Sequence, residues 1–218
     1  MIELYDLVGA NDLRFSPFCS RTKAVLSYKN LPYTTEAVRF TEKHKLTFSG
    51  QDRVPVVRHD DGTVVSDSWA IACDLEERQT EPRIFPGLGH KEACRFFNLY
   101  VDNTVHPALA PVVIGDIFDK IEPGDRDYFR QSRESRLGAR LEDIAARRNE
   151  FRPQLQKALA DLNATLAGQE YLFGVFSYAD ICLFGTFTWI TRVSDEPLFD
   201  TVPALRAWWE RMQERFNV

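Results

Sequence analysis

The 218-residue sequence predicts an α/β domain followed by an all-helical one. Three observations carry that expectation. Short strand-like runs rich in Val, Thr and Tyr recur within residues 1–80. Residues 81–90 collect Pro82, Pro86, Gly87 and Gly89, the composition of a linker. Across residues 91–218 the apolar positions keep helical spacing and no convincing strand is found.

Ile2, Leu4 and Leu7 mark a first strand at about Ile2–Leu7, and the polar loop Val8–Phe15 follows it. Phe18, Thr22, Val25 and Leu26 predict a helix over about Pro17–Asn30, which Leu31-Pro32 ends. Tyr33–Val38 reads as a second strand. The charged segment Glu42–Ser49 reads as a second, short helix closed by Gly50. Arg53-Val54-Pro55-Val56-Val57 is a strand with proline at its mouth, and Asp60-Asp61-Gly62 turns it into its partner Val64-Val65. Asp67-Ser68 opens a third helix at about Ser68–Glu77. The order is β-α-β-α-β-β-α.

In the second domain Phe96, Phe97, Tyr100, Val101, Thr104 and Val105 share one helix, kinked by Pro107 and Pro111. Ile121–Asp125 is a loop. Arg126–Arg152, dense in both charge signs, is expected as a helix whose arginines form a solvated face, with anion binding as the alternative reading. Pro153 should break it before a helix of about Gln154–Ala167. Ser177–Val193 is apolar enough to be a central buried helix, and Pro203–Phe216 packs through Leu205, Trp208, Trp209 and Met212.

The formal net charge of −5 argues against a nucleic-acid binder. The longest apolar runs, such as Ala110–Ile114, are too short for a bilayer, and no basic segment leads into an apolar one at the start. A cytoplasmic protein without a membrane partner is expected. Cys19, Cys73, Cys94 and Cys182 lie far apart with no metal-ligand spacing, so free, buried thiols and no metal site are expected.

The segment that carries chemistry is Phe15-Ser16-Pro17-Phe18-Cys19-Ser20-Arg21. Serine is a favoured helix cap, and proline is tolerated at the first helical position. Ser16 then stands at a helix mouth whose free N–H groups favour an anion. Ser16-Pro-Phe-Cys19 also has the spacing of a redox pair with the outer cysteine replaced. A hydroxyl there forms no disulfide but can hydrogen-bond another molecule's thiolate. Two plainer readings stand beside these: Ser16 as a simple cap, and Cys19 as a small buried hydrophobe.

The chain resembles the glutathione transferase superfamily in four stretches: Ser16–Arg21, Val54-Pro55, Asp67-Ser68, and Ser177-Tyr-Ala-Asp180 opening an apolar helix. Within it, Ser16–Thr22, Asp127-Tyr128, Ser132-Arg133-Glu134 and Arg140-Leu141-Glu142-Asp143 are similar to the β-etherase-like branch of bacterial lignin aryl-ether-cleaving enzymes and fungal relatives. The resemblance implies a thioredoxin-like first domain with a cis Val54-Pro55 bond and glutathione as co-substrate. It implies Ser16 as the thiolate-stabilising catalyst and Val54 as the backbone partner of the cysteinyl part. Asp67 and Ser68 would hold the γ-glutamyl end, and Lys43, Lys45 or Arg53 the glycyl carboxylate. Ser177 and Asp180 would form a structural capping box. The implied reaction is attack on an apolar aromatic electrophile, with β-aryl ether cleavage as its specific form, by a homodimer. Tyr100 and His106 are the expected substrate-pocket residues. Two other functions fit the same residues: a glutathione-binding carrier of aromatic ligands, and a thiol oxidoreductase using Cys19.

Overall fold

A computed structural model describes residues 1–216, so the last two positions of the expected helical domain lie outside the described residues. The first domain contains strands β1 (Ile2–Leu7), β2 (Tyr33–Val38), β3 (Val56–Arg58) and β4 (Val64–Ser66), with helices α1 (Pro17–Tyr28) and α2 (Ser68–Arg78). The sheet order is β2-β1-β3-β4. β1 runs parallel to β2, with Leu7 opposite Val38, and antiparallel to β3, with Tyr5 opposite Val56. β4 returns antiparallel to β3 and sets Ser66 opposite Val56. The expected helix at Glu42–Ser49 is a 3₁₀ segment, Lys43–Ser49, which buries only Leu46 and has no apolar stripe to hold a longer α-helix. The third strand begins after Pro55, because the ring removes the N–H that a ladder position needs.

The second domain holds α3 (His90–Tyr100), α4 (His106–Asp119), α5 (Arg126–Leu137), α6 (Leu141–Ala146), α7 (Arg148–Leu166), α8 (Tyr178–Val193) and α9 (Pro203–Arg215). No strand occurs in it among the described residues, as expected. Three details differ from the sequence reading. Instead of a kink at Pro107, α3 and α4 are joined through a π turn, Val101–Val105, the change of register expected where a ladder bond is lost. Arg126–Arg152 is divided among α5, α6 and the start of α7, because Gly138 takes φ +71°, a left-handed conformation that ends α5. Pro153 lies inside α7 and does not break it; Leu155, Leu159, Leu162 and Leu166 bury the helix that follows.

One apolar core runs through both domains, from Leu4, Val25, Leu26 and Ile71 to Leu109, Ile181 and Phe187. α1 lies on α8 at the seam. A Cβ on Gly185 would stand 2.5 Å from the Pro17 carbonyl oxygen and 2.7 Å from Arg21 Cγ, so only glycine lets the two helices approach this closely. Among the described residues no helix is long and apolar enough to cross a membrane.

Candidate functional site

The pairing of the strands gathers the predicted residues on one edge of the sheet. β1 and β2 end there, β3 begins there and β4 ends there. The loop after β1 therefore delivers Ser16, the loop before β3 delivers Val54, and the turn after β4 delivers Asp67. The Asp67 N–H donates to the Pro55 carbonyl at 3.3 Å, which ties the last two together.

Ser16 caps α1, with its Oγ accepting from the Cys19 N–H at 3.2 Å and Pro17 next in line. It is nearly buried at 5% exposure, while Pro17 and Phe18 beside it are half-exposed. The first turn of α1 contains no acidic residue. Its free N–H groups and its dipole are thus not offset by an acid within the turn itself; Asp6, the carboxylate that acts on Cys19, is paired with Lys23 at 2.9 Å. Cys19 has 0% exposure. Burial, with Asp6 adding, pushes its thiol well above the usual range. A thiolate is disfavoured there, which favours the reading of Cys19 as a small buried hydrophobe over the alternative redox role. The four cysteines are free, as expected.

The Val54-Pro55 peptide bond is cis, as the resemblance implies. Val54 is half-buried, and its backbone N–H and C=O take no hydrogen-bond partner among the described residues. They form a short open edge that an extended peptide can pair with. Asp67 is exposed and caps α2, with Oδ1 accepting from the N–H groups of Trp69 and Ala70 at 3.0 and 3.1 Å. Its φ of +77° is strained for a non-glycine residue, and the Pro55 contact helps to hold it. Its Oδ2 has no partner among the described residues. Ser68 departs from the expectation. It is buried at 3% exposure, close to the Tyr178 phenol inside the seam. The backbone N–H of Ser68, at the first position of α2, takes no hydrogen-bond partner among the described residues.

The three cations proposed for the far end are placed differently. Lys43 Nζ lies 2.6 Å from Asp52 and over the Tyr128 ring at 5.0 Å. Arg53 is exposed, with Asp52 3.9 Å away. Lys45 is turned back to β2, where it donates to the Ala37 carbonyl and pairs with Glu36 and Glu42. That engagement removes Lys45 from the site.

Across the seam, the structure separates the two expected pocket residues. His106 lies edge-on between Phe18 at 5.6 Å and Trp189 at 5.3 Å, next to the Ser16 turn. Its Nε2 shares a 2.9 Å hydrogen bond with Thr186 Oγ1. Burial, and then the Arg21 charge, hold it well below the usual histidine pKa, so it is neutral near pH 7. Tyr100 instead packs on Phe97, on the side where Asp161 and Lys157 of α7 act on its phenol. It makes no ring contact with the His106 group.

Sequence reasoning missed a buried polar cluster beneath this turn. Arg21 has 0% exposure and donates to the Cys182 carbonyl, Asn98 Oδ1 and Asp102 Oδ1, the last at 2.8 Å. Burial alone pushes its pKa down, but Cys182, Asp102 and Tyr178 more than offset that, so it stays charged. The acid lies inside the π turn, a register change that no residue spacing in the sequence announces. The cluster fixes the inner end of the Ser16 helix against the second domain.

Two family profiles match the chain: glutathione S-transferase, N-terminal domain, over residues 15–78, and glutathione S-transferase, C-terminal domain, over residues 94–218. The chain is similar to a probable glutathione S-transferase, GSTU6, of Oryza sativa subsp. japonica, at 25% identity covering 95% of this chain and 86% of that protein. It is also similar to glutathione S-transferase omega-1 of Rattus norvegicus, at 23% identity covering 93% and 75%. Among solved structures, glutathione transferase GSTFuA3 from Phanerochaete chrysosporium shares the fold with a TM-score of 0.88 at 24% identity, over 100% of this chain and 98% of that one. Glutathione S-transferase CsGST63524 of Ceriporiopsis subvermispora, solved in complex with glutathione, gives 0.87 at 24% identity over the same shares.

Proposed function

The chain belongs to the glutathione S-transferase family, and on that premise we propose that Ser16 holds the glutathione thiolate for attack on an electrophilic carbon of an apolar aromatic compound. The observation that carries this reading is the open N-terminus of α1. It has a serine cap, a dipole and no acid of its own. A thiol near its ordinary pKa is mostly protonated at pH 7, and each unit of lowering requires about 1.4 kcal/mol of preference for the anion. A hydroxyl donor at a helix N-terminus supplies an interaction of that size.

The Val54 backbone edge supports binding of the cysteinyl part. Asp67 Oδ2 suits the γ-glutamyl ammonium, and the Ser68 N–H suits its carboxylate. Lys43 and Arg53 suit the glycyl end. Phe18, His106 and Trp189 supply the apolar wall for the acceptor, and neutral His106 does not repel an uncharged ring.

In the ether form of the reaction, a carbon–sulfur bond forms as the carbon–oxygen bond breaks. The aryl oxygen leaves as phenolate and takes a proton from water. The similarity of Ser16–Thr22 to the β-etherase-like branch supports that substrate class. The working unit is a homodimer, for which the exposed Leu88, Phe96 and Leu99 on the linker and α3 offer an apolar face.

A panel of a fluorogenic β-aryl ether, an aryl halide, an isothiocyanate and a mixed disulfide tests the reading. Phenol release that requires glutathione is expected. Loss of glutathione from the mixed disulfide alone would favour an oxidoreductase instead.

A further inference from the structure

Helix α5 carries four arginines in unlike surroundings. Arg130 is neutralised, with two hydrogen bonds to Glu142 at 2.7 and 3.0 Å and one to Glu134 at 2.9 Å. Arg126 donates to the Ile121 carbonyl, and Arg136 is exposed. Arg133 is different. Its guanidinium is half-buried over the rings of Phe129 at 4.6 Å and Phe40 at 5.6 Å. Its one polar partner is Ser132 Oγ at 2.7 Å, and among the described residues it forms no ion pair. The adjacent carboxylate, Glu134, is taken by Arg130 and by the Leu141 N–H. Burial, together with the like charges of Arg136 and Arg53, lowers its pKa to about 10. A cation taken out of water beside two other cations lacks the compensation that such groups ordinarily have.

The surroundings of Arg133 are defined by Phe40. Phe40 packs on Phe15, the neighbour of Ser16, at 6.3 Å, and on Tyr128 at 6.5 Å. Lys43 covers Tyr128, and Arg53 precedes Val54. Arg133 therefore faces the crease between the loop after β2 and helix α5, beside the residues assigned above to glutathione. The planar fork of an arginine suits a carboxylate, and the Phe40 ring beside it suits an apolar body.

We propose that Arg133 seats a carboxylate of a bound ligand at the seam between the two domains. The proposal deepens the transferase reading and rests on it for the identity of the ligand. The carboxylate comes from one of two sources: the glycyl end of glutathione or an acidic group on the aromatic acceptor.

Calorimetric titration of the full-length protein separates them without turnover. Glutathione is compared with its glycyl ethyl ester, and a carboxylated aryl halide with its uncharged analogue, each on the parent and on Arg133→Gln. A selective loss of about tenfold or more for the charged member of one pair is expected, and the pair affected identifies the source. Arg133→Lys should recover part of that loss, and Arg147→Gln, an exposed arginine paired with Glu150, should leave the charged-to-uncharged ratio unchanged. Equal effects on charged and uncharged members of both pairs, or none on either, would overturn the proposal. A parent protein with no glutathione-dependent turnover would defeat the transferase reading, while the titrations would still decide the role of Arg133.

Discussion

Two helices of this molecule start with the same residue type and end up with opposite uses. α1 begins at Ser16 and α8 at Ser177, each with the serine side chain accepting a hydrogen bond from an N–H in the first turn. Behind Ser177, the third helical position is Asp180, which closes the end of α8. Its carboxylate accepts from the N–H groups of Ser177 and Leu172 at 3.0 Å and from the Trp208 indole at 2.9 Å, all buried. Behind Ser16, the third helical position is Cys19, which brings no charge. The anion that completes α8 is built in; the first turn of α1 supplies none. On the reading proposed above, a helix start becomes a binding site through what its own first turn leaves out.

The sharpest way to break the comparison is to remove Asp180. Asp180→Ala strands buried donors on two segments and on Trp208. We expect a loss of about 3–5 kcal/mol in denaturant unfolding, with turnover per folded molecule unchanged. A loss under about 1 kcal/mol would mean that α8 does not depend on its box. The mirror experiment, Ser16→Ala, should cut glutathione-dependent turnover by about 10- to 1,000-fold while costing at most about 2 kcal/mol of stability. Gly185→Ala couples the two helices, since the added methyl meets Pro17 and Arg21. It should cost about 1–3 kcal/mol and also raise the KM for glutathione by shifting the start of α1. Stability unchanged in that variant would show that the contact yields freely.

His106 offers a smaller, pH-dependent effect. Its folded pKa is depressed, so the unfolded chain takes up the proton first as pH falls. Its contribution is complete above the unfolded value of about 6.5 and declines below it, by at most about 1.4 kcal/mol per pH unit. Asp102, 3.8 Å from Nδ1, does little to retain the proton because it is already committed to Arg21 and Asn98. His106→Gln should flatten the decline in midpoint temperature between pH 7 and 5.5, and an unaltered decline would exclude His106 as its source. The smallest effect expected is that of Cys19→Ala: kcat/KM within about threefold of the parent, because a buried thiol contributes packing and not chemistry.

Much of this could be read from the residues alone. Ser16-Pro17 and Ser177-Asp180 announce their helices through cap chemistry, which is local and so survives in the sequence. Asp67 opening α2 is legible for the same reason. Other features depend on contacts that no short stretch contains. The helical pattern at Val101–Val105 does not disclose the extra residue per turn that brings Asp102 to Arg21. The arginines of 126–152 look like one solvated face, which Arg136 and Arg140 obey and Arg133 does not. What distinguishes Arg133 is that Glu134 is drawn away by Arg130 and that Phe40 arrives from the other domain. Ser68 is likewise buried beside Tyr178, a neighbour far along the chain.

The central claim is that Ser16, at an N-terminus without its own acid, stabilises the thiolate of bound glutathione. Ultraviolet titration of the thiolate of glutathione bound to the parent and to Ser16→Ala, at saturating protein, tests it directly. The account predicts a bound-thiol pKa well below that of free glutathione in the parent, raised by about one unit or more in the variant. The same bound-thiol pKa in both proteins would contradict it.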